Sequence, residues 1–254
     1  MRAGPIDLSD AIHATHGIIA ALSSVRTRDA LIDLMHVITS SLGFRHFAII
    51  HHADLREARP GRIDIKHYPE AITERLIEQG LWRRDPIVRG SVFADGAFLW
   101  SNVGTLIRLD RRDREALALG ASVGLNEGIT VPSSLTGRCP GSCTFAGMRH
   151  PDCAERLLGI VQIVGIFAFQ AARRIAGDVI EPAPPPRLHP RPRDCVALVG
   201  RGCSNKQIAR ALGLTPRTVD GYLTTARRLF NARDRTELVI SAILAGEVGL
   251  DELR

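Results

Sequence analysis

The stretch GCSNKQIARALGLTPRTVDGYLTTARRLF, residues 202–230, predicts two helices joined by a tight turn. The first helix is expected to end at Gly213, because glycine readily adopts the left-handed conformation found after a helix C-terminus. Thr215 then serves as N-cap of the second helix, and Pro216 fits its first position, where no N–H is needed. Apolar residues follow at the spacing of one buried helix face, whereas the outer face is polar or small. The buried face holds Val219, Leu223, Ala226 and Phe230, and the outer face holds Arg217, Asp220, Gly221, Thr224 and Arg228.

Two short helices with this turn and this polar face are typical of the helix-turn-helix arrangement, which places its second helix in the DNA major groove. The charge distribution agrees, because residues 188–246 carry ten basic and four acidic side chains. Such a local basic excess is what contact with DNA phosphates requires. The alternative is a solvated helical hairpin in an ordinary helical domain.

Within this segment we assign roles by side-chain chemistry. Asp220 is an acceptor only, so cytosine N4 is its natural partner. Gly221 costs about 1 kcal/mol relative to Ala inside a helix, which favours a role in close approach to DNA. The residues expected near base edges are Arg217, Asp220, Gly221 and Thr224, those expected at phosphates are Lys206, Arg210, Arg227 and Arg228, and Thr218 completes the DNA-binding set.

Residues 188 to about 248 resemble the C-terminal DNA-binding domain of LuxR-type transcription factors. The matching pieces are Gly202, SNKQIA at 204–209, Thr218-Val219, Leu223 and RTEL at 235–238. The family usually opens this domain with Thr/Ser-Pro-Arg-Glu, whereas residues 189–192 here read HPRP. Histidine is a poorer cap than threonine, and proline cannot close a capping box. We therefore expect the first helix of the domain to start late or to fray.

The composition is that of an ordinary globular protein of two domains, with 254 residues, 45% hydrophobic and 24% charged. No apolar run is long enough to span a bilayer, and residues 1–10 lack the apolar core of a signal peptide, so we expect a cytoplasmic protein without a membrane partner. Five cysteines in such a chain argue against a disulfide framework. Residues 181–187 (EPAPPPR) predict an extended linker. The expected domains are residues 1–178 and 188–254, with the proline-rich linker at 179–187.

The first domain alternates helical and strand-like patterns. Helices are predicted at 7–23, 27–42, 71–80, 110–119 and 154–175, and strands at 44–51, 62–67, 128–133 and 143–148. The helix at 154–175 is apolar almost all round, so it should be largely buried. Helices that flank an antiparallel sheet predict an α+β sensor domain, an α-β-α sandwich, beside an all-α helix-turn-helix domain.

This first domain resembles the autoinducer-binding domain of the same LuxR-type regulators, which respond to acyl-homoserine lactones in quorum sensing. The matching motifs are Tyr68-Pro69, DPIV at 85–88, FLW at 98–100, and Gly128 followed by TVP at 130–132. The resemblance places Asp85, Pro86, Trp100 and Gly128 at the ligand pocket, and Thr144 where a hydroxyl often reaches the ligand. It also implies that no cofactor is needed other than the small-molecule autoinducer.

Asp85 has a physical reason to bind a ligand amide. A carboxylate walled by Trp82, Trp100 and aliphatic side chains needs hydrogen-bond donors, and a ligand N–H is one. Apolar walls would bury an acyl chain, at about 0.8 kcal/mol per CH₂. Without the family match, however, Asp before Pro is more typical of a surface turn or a helix cap.

Two positions depart from the family pattern. A Trp and a Tyr usually lie thirteen and nine residues before the pocket aspartate and donate to the two ligand carbonyls, but here these positions hold Ile72 and Leu76. Each lost donor costs roughly 1–3 kcal/mol of binding. Either Tyr68, Trp82 or Thr144 supplies a substitute, or the ligand is less polar at that end, or there is none.

A metal site, a catalytic site and a phosphorylated receiver domain fit these residues less well. The spacing of a zinc site is matched only loosely by Cys139, Cys143, His150 and Cys153. We therefore interpret them as small buried apolar residues and expect no metal. No catalytic residue is expected, since the histidines at 46, 51, 52 and 67 pair with no obvious Cys or Ser. A phosphorylated receiver domain would need a late lysine, yet Lys66 is the only lysine before the linker.

The sequence therefore predicts a ligand-responsive homodimer that binds a palindromic operator with half-sites about 10 bp apart and that has RNA polymerase as a further candidate partner. The candidate dimer surfaces are the helices at 154–175 and 236–245. Two alternatives remain open: a ligand-independent regulator, and a protein that acts by forming heterodimers with a related regulator.

Overall fold

The computed structural model describes residues 8–56, 60–134, 139–177 and 186–253. These residues form two compact units, one before residue 178 and one from residue 186 onward. The predicted linker at 179–187 lies outside the described residues except for its last two positions. None of the described helices is long and apolar enough to cross a membrane.

The first unit contains a five-stranded antiparallel sheet in the order β2-β1-β5-β4-β3. The strands are β1 (His46–His51), β2 (Asp64–His67), β3 (Phe98–Leu99), β4 (Gly128–Ser133) and β5 (Gly141–Ala146). Central β5 pairs Cys143 with both Ile49 and Val131. Because side chains alternate across a strand, the sheet presents two different faces.

One sheet face packs against a layer of three long helices, α1 (Leu8–Ser24), α2 (Arg28–Ser41) and α7 (Ala154–Ala176). Thr27 caps α2 by accepting a hydrogen bond from the Ala30 amide. This layer holds the main apolar core, which includes Phe47, Ile49, Ile129, Val131, Cys143, Phe145, Leu31, Met35, Val161 and Phe169. The helix predicted at 154–175 is less buried than expected, because nine of the 23 residues of α7 are buried and its outer face, with Ile163 and Ile166, is exposed.

The opposite face carries the smaller and more polar residues of the sheet, such as Ser142, Thr144 and Thr130. Short helices cover it: α3 (Glu70–Thr73), which continues as a π-helical turn (Glu74–Glu78), α4 (Pro86–Gly90), α5 (Val103–Leu106) and α6 (Arg111–Ser122). Single 3₁₀ turns at Leu81–Arg84 and Trp100–Asn102 complete the layer, and a third at Pro151–Cys153 leads into α7. The predicted α+β sandwich is confirmed.

Several predicted boundaries were wrong. The strand expected at 143–148 lies two residues earlier, because pairing with both β1 and β4 fixes its register. The helix expected at 110–119 starts after the Asp110 cap but runs through Gly120 to Ser122, and the glycine in the left-handed conformation that follows it is Gly124, with φ of 98°. Strand β3 and helices α4 and α5 are too short to give a periodic signal, and none was predicted.

The second unit is helical, with α8 (Pro190–Gly200), α9 (Asn205–Leu212), α10 (Pro216–Leu229), α11 (Arg235–Leu244) and a 3₁₀ turn (Asp251–Leu253). The expectation that the first helix starts late was wrong. His189 makes no capping bond, yet α8 begins at Pro190. Contacts beyond the helix fix this end, because Leu188 N donates to Glu247 (2.8 Å) and Arg193 pairs with Glu252 (2.6 Å).

Candidate functional site: an apolar cavity and a basic helix

Asp85 is the N-cap of α4. Its Oδ1 accepts hydrogen bonds from the amides of Ile87 (2.9 Å) and Val88 (3.1 Å), and Pro86 occupies the first helical position. Gly80, in the left-handed conformation with φ of 67°, turns the chain into the preceding 3₁₀ turn. The capping interpretation of Asp85 is therefore correct, but it describes only one of the two carboxylate oxygens. Among the described residues, no hydrogen bond reaches Oδ2.

The same aspartate lines a cavity of about 60 Å³ between the sheet and the short helices. Ligand pockets are typically about 300–1,000 Å³. A molecule with an acyl chain therefore enters only if wall side chains move. Six predicted ligand residues line this cavity: Tyr68, Ile72, Leu76, Asp85, Trp100 and Thr144.

Three predicted residues do not line the cavity. Trp82 lies in the 3₁₀ turn with the Arg83 guanidinium over its ring at 4.9 Å, so its assignment as a cavity wall is corrected. Pro86 is buried and sets the start of α4. At Gly128 a Cβ would come within 2.8 Å of both the Phe145 carbonyl oxygen and the Trp100 ring. Glycine there permits Trp100 to pack against β4, which is a positioning role.

The walls also include residues that were not predicted to bind the ligand. Arg75 and Ser142 are polar, and the others are apolar or small: Ile50, Ile87, Val88, Ala116, Leu117, Gly120 and Leu125. The helical spacing of Ile72, Arg75 and Leu76 could have indicated a shared face, but no family motif marks Arg75. Leu117 and Gly120 come from α6, whose contribution depends on tertiary packing.

A chain of hydrogen bonds links two cavity residues, Trp100 and Thr144, through Thr130. Trp100 Nε1 donates to Thr130 Oγ1 (2.9 Å), and the Thr130 hydroxyl hydrogen-bonds the Thr144 hydroxyl (3.0 Å). Burial raises the pKa of the Tyr68 hydroxyl well above its usual range, the charge of Asp85 raises it further, and a hydrogen bond with Thr144 opposes both. Tyr68 is therefore a neutral phenol at physiological pH, able to donate.

Burial raises the pKa of the Asp85 carboxyl, while hydrogen bonds from the Val88 and Ile87 amides and the charge of Arg75 lower it. Ile72, only 6% exposed, packs with Leu125 and Ala146. The two positions that depart from the family pattern therefore lie in the cavity wall. They hold aliphatic side chains where the family has hydrogen-bond donors.

A second polar cluster corrects one expectation. His52 Nε2 lies 2.9 Å from Ser142 Oγ, and its Nδ1 lies 3.4 Å from Ser91 Oγ. The expectation that the histidines at 46, 51, 52 and 67 pair with no obvious Cys or Ser is therefore wrong for His52, because the loop after β1 brings it beside Ser142 of β5. Burial, with a smaller contribution from His51, lowers the pKa of His52 to about 4, so its imidazole is neutral.

The cysteines of the loose zinc pattern are dispersed. Cys143 is buried in the core, where burial raises the pKa of its thiol, whereas Cys153 and His150 are exposed. The interpretation as buried apolar residues therefore holds for Cys143 and is wrong for Cys153. No cluster of three or more potential metal ligands occurs in the part of the chain that the structure describes.

The basic helix of the second unit is α10. Thr215 caps it by accepting from Thr218 N (3.1 Å), while Val219, Leu223 and Ala226 face the core. Preceding α9 carries the capping box of Ser204 and Gln207 and ends at Gly213, with φ of 67°. Thus the predicted helix, turn and helix are present with the predicted caps.

The outer face of α9 and α10 exposes most of the predicted DNA-binding residues: Lys206, Arg210, Arg217, Asp220, Gly221 and Arg228. Thr218, Thr224 and Arg227 are half-buried, and Arg227 Nη2 donates to the Thr224 hydroxyl (3.3 Å). Asn205 Nδ2 donates to Asp220 Oδ1 (3.4 Å), which orients that carboxylate. Nothing lies within 4 Å of a Cβ built at Gly221, so packing within the protein gives no reason for glycine there.

Comparison with known families assigns both units. Residues 27–172 match the family described as autoinducer binding domain, and residues 187–242 match bacterial regulatory proteins of the luxR family. Among curated proteins, 26% identity over 204 residues is found with y4qH of Sinorhizobium fredii, which is named as an HTH-type transcriptional regulator. That match covers 78% of this chain and 61% of y4qH, so this chain spans less than two thirds of that protein.

The transcriptional activator protein BjaR1 of Bradyrhizobium diazoefficiens is 28% identical over 181 residues, which cover 70% of this chain and 72% of BjaR1. Crystal structures of Escherichia coli SdiA share the fold, with a TM-score of 0.56 and 17% identity over 94% of this chain and 100% of SdiA. SdiA has also been solved in complex with octanoyl-rac-glycerol.

Proposed function

The chain belongs to the LuxR family of bacterial transcriptional regulators with an autoinducer-binding domain, and from this premise we propose that it is a homodimer that binds a small amphipathic ligand and a palindromic operator in the cytoplasm. Members of this family are regulators and not enzymes. RNA polymerase is the proposed further partner. Domains at 1–178 and 188–254, joined by the linker at 179–187, are part of the same proposal.

The observation that carries the sensing role is the pairing of Asp85 with an apolar cavity. Asp85 Oδ1 is used by the α4 cap, which leaves Oδ2 to accept from a ligand donor. Ile72, Leu76 and Trp100 supply apolar wall, while Tyr68 and Thr144 supply hydroxyl groups. A ligand with an acyl chain and one N–H donor satisfies both halves of this site.

Thermal unfolding of the full chain tests the sensing role. Trp82 and Trp100 are the two tryptophans of the sequence, so tryptophan fluorescence reports on the first unit alone. A panel of acyl-homoserine lactones and monoacylglycerols should contain a member that raises Tm with increasing concentration, because a ligand that binds only the folded state stabilises it. The absence of any shift at saturating concentration would favour the ligand-independent alternative.

The ligand-independent alternative is favoured by one observation. A cavity of about 60 Å³ is smaller than an octanoyl chain, and the walls at Ile72 and Leu76 offer no donor. The octanoyl-rac-glycerol complex of SdiA supports the sensing role instead, because it shows that a protein of this fold accommodates an acyl chain whose head group is not a lactone.

For DNA binding, Arg228→Ala and Thr224→Ala form a discriminating pair. Arg228 is exposed on α10, and as a phosphate contact its loss should weaken binding to all sequences and lower the salt slope by about one. Thr224→Ala should instead change sequence preference, with a cost of about 1–3 kcal/mol at one base pair. Gel shifts of the full chain at several salt concentrations measure both effects.

Unchanged binding and an unchanged salt slope for Arg228→Ala would contradict the phosphate assignment. The same gel shifts address the heterodimer alternative, because a protein that acts only with a related regulator should show no operator complex alone. Complex formation by the purified chain would exclude it.

A further inference from the structure

Arg75 lies at the boundary between the apolar cavity and a wider surface groove. It belongs to the π-helical turn Glu74–Glu78, next to Leu76 and three residues after Ile72. Arg75 lines the cavity with these two residues, and with Leu76 and Asp85 it also lines the groove. Its charge acts on the Asp85 carboxyl. A cation is therefore placed where the polar end of a ligand would leave the cavity.

The groove is rich in arginine. Five arginines line it, namely Arg75, Arg83, Arg84, Arg89 and Arg112. Arg89 pairs with Asp113 (2.7 Å) and Arg83 covers Trp82, but Arg75, Arg84 and Arg112 form no ion pair within the described part of the chain. These three guanidinium groups are available to an anion.

Each acidic residue of the groove accepts a hydrogen bond from within the protein. Asp110 Oδ1 accepts from Asp113 N (2.8 Å), Asp113 Oδ1 accepts from Arg89, and Glu115 accepts from Arg111 Nε (2.8 Å). Asp85 caps α4. The groove lining holds five arginines and four acidic residues, so its net charge is positive, and Asp85 lies where the groove meets the cavity.

These contacts decide which head group fits. A neutral carbonyl that meets Ile72 and Leu76 finds no donor. A ligand carboxylate that lies beside these two residues meets Arg75 instead. Guanidinium groups bind carboxylates through two parallel N–H donors. Arg84 and Arg112 add positive charge, which offsets the repulsion between a ligand carboxylate and Asp85.

We propose that the cavity binds an N-acyl amino acid with a free carboxylate, whose amide N–H donates to Asp85 and whose carboxylate binds Arg75. The acyl chain occupies the apolar cavity, which widens as wall side chains move. The ring-opened form of an acyl-homoserine lactone belongs to this chemical class. This inference rests on the proposed function of the cavity as the ligand site.

Isothermal titration of the full chain with N-octanoyl-homoserine lactone and with N-octanoyl-homoserine, its ring-opened acid, tests the proposal. The two probes share the chain and the amide and differ in the carboxylate. The acid should bind at least about tenfold more tightly, because a hydrogen bond to a charged group is worth more than one to a neutral group. In Arg75→Gln that preference for the acid over the lactone should disappear.

Arg108→Gln is the matched control, because Arg108 is exposed and lines neither the cavity nor the groove. Tryptophan fluorescence of each variant establishes that the first unit is folded. Tighter binding of the lactone, or an acid preference that survives in Arg75→Gln, would overturn the carboxylate proposal and leave the sensing function intact. Binding of neither probe would overturn the carboxylate proposal, and no response to the wider panel would overturn the sensing function as well.

Discussion

Asp85 shows how one side chain serves the fold and the site together. Two backbone amides hold Oδ1 at the start of α4, and this fixes the carboxylate at the cavity wall. The sequence supports both a capping role and a ligand role for Asp85, and treats them as alternatives. In the structure they are compatible, because a carboxylate has two oxygens and the cap uses one.

Substitution of Asp85 should separate these two roles. Asparagine is also a good N-cap, so Asp85→Asn should keep the stability of the first unit within about 0.5 kcal/mol, whereas Asp85→Ala should lose about 1 kcal/mol. Both should lose the ligand-induced rise in Tm, because neither retains a carboxylate for the ligand N–H. Denaturant unfolding followed by tryptophan fluorescence, with and without ligand, measures this. A full ligand response in Asp85→Asn would assign the carboxylate to the cap alone.

Protonation of His52 should lower the free energy of unfolding of the first unit. Its pKa is about 4 in the folded state and 6.5 as the ordinary value, so the unfolded chain binds more protons between these values. Stability should therefore fall as the pH drops through this window, and His52 should account for about 2 kcal/mol of the loss between pH 7 and pH 4.5.

The comparison of His52→Gln with His150→Gln isolates this contribution, because Gln can still hydrogen-bond Ser142 and His150 is exposed. Denaturation at both pH values, followed by tryptophan fluorescence, should show a smaller pH effect only in His52→Gln. Equal pH effects in His52→Gln and the unmodified chain would mean that His52 is accessible to protons in the folded state.

At the scale of elements, caps and turns were predictable where a local residue determines the backbone. Gly213, Thr215 and Pro216 end α9 and start α10 as predicted, because their conformational preferences act within one turn. The start of α8 was not predictable in this way. Its local cap is poor, and the bonds that hold it come from Glu247 and Glu252, more than fifty residues away.

A substitution in helix α10 should change stability and DNA binding in opposite directions. Gly221→Ala should stabilise the second unit by up to about 1 kcal/mol, because Ala is the better helix former and the site has open space. It should weaken operator binding at least several-fold if the missing Cβ permits close approach to DNA. Circular dichroism melting and gel shifts measure the two effects, and tighter or equal DNA binding would refute the close-approach role.

At the scale of the whole molecule, exposed apolar side chains on two helices agree with the proposed dimer. Ile240 and Leu244 of α11 are each 51% exposed, and Ile163 and Ile166 of α7 are also exposed. Each pair is spaced by three or four residues, so it forms a stripe on one helix face. An apolar stripe of this kind is typical of a helix that packs against a partner.

Introducing a charged side chain into each of these stripes tests whether they form the dimer interface. Ile240→Glu and Ile163→Glu should each weaken self-association at least about tenfold, because a carboxylate is costly to bury at an interface. Val37→Glu is the control, since Val37 on α2 is 64% exposed and belongs to neither stripe. Sedimentation velocity over a range of concentrations gives the dissociation constants. Unchanged constants for both test variants would place any dimer contact elsewhere.

The sequence by itself determined the two-unit plan, the α+β and all-α classes, the caps of the helix-turn-helix and six of the cavity residues. These features depend on periodicity, on single-residue conformational preference, or on motifs with fixed spacing. Only the tertiary structure decided that Trp82 lies outside the cavity, that His52 meets Ser142, and that Arg75 joins the cavity to a groove of arginines. Those relations depend on the pairing of distant strands and the packing of helices on the sheet, whereas a sequence pattern reports only on residues within one helix or strand.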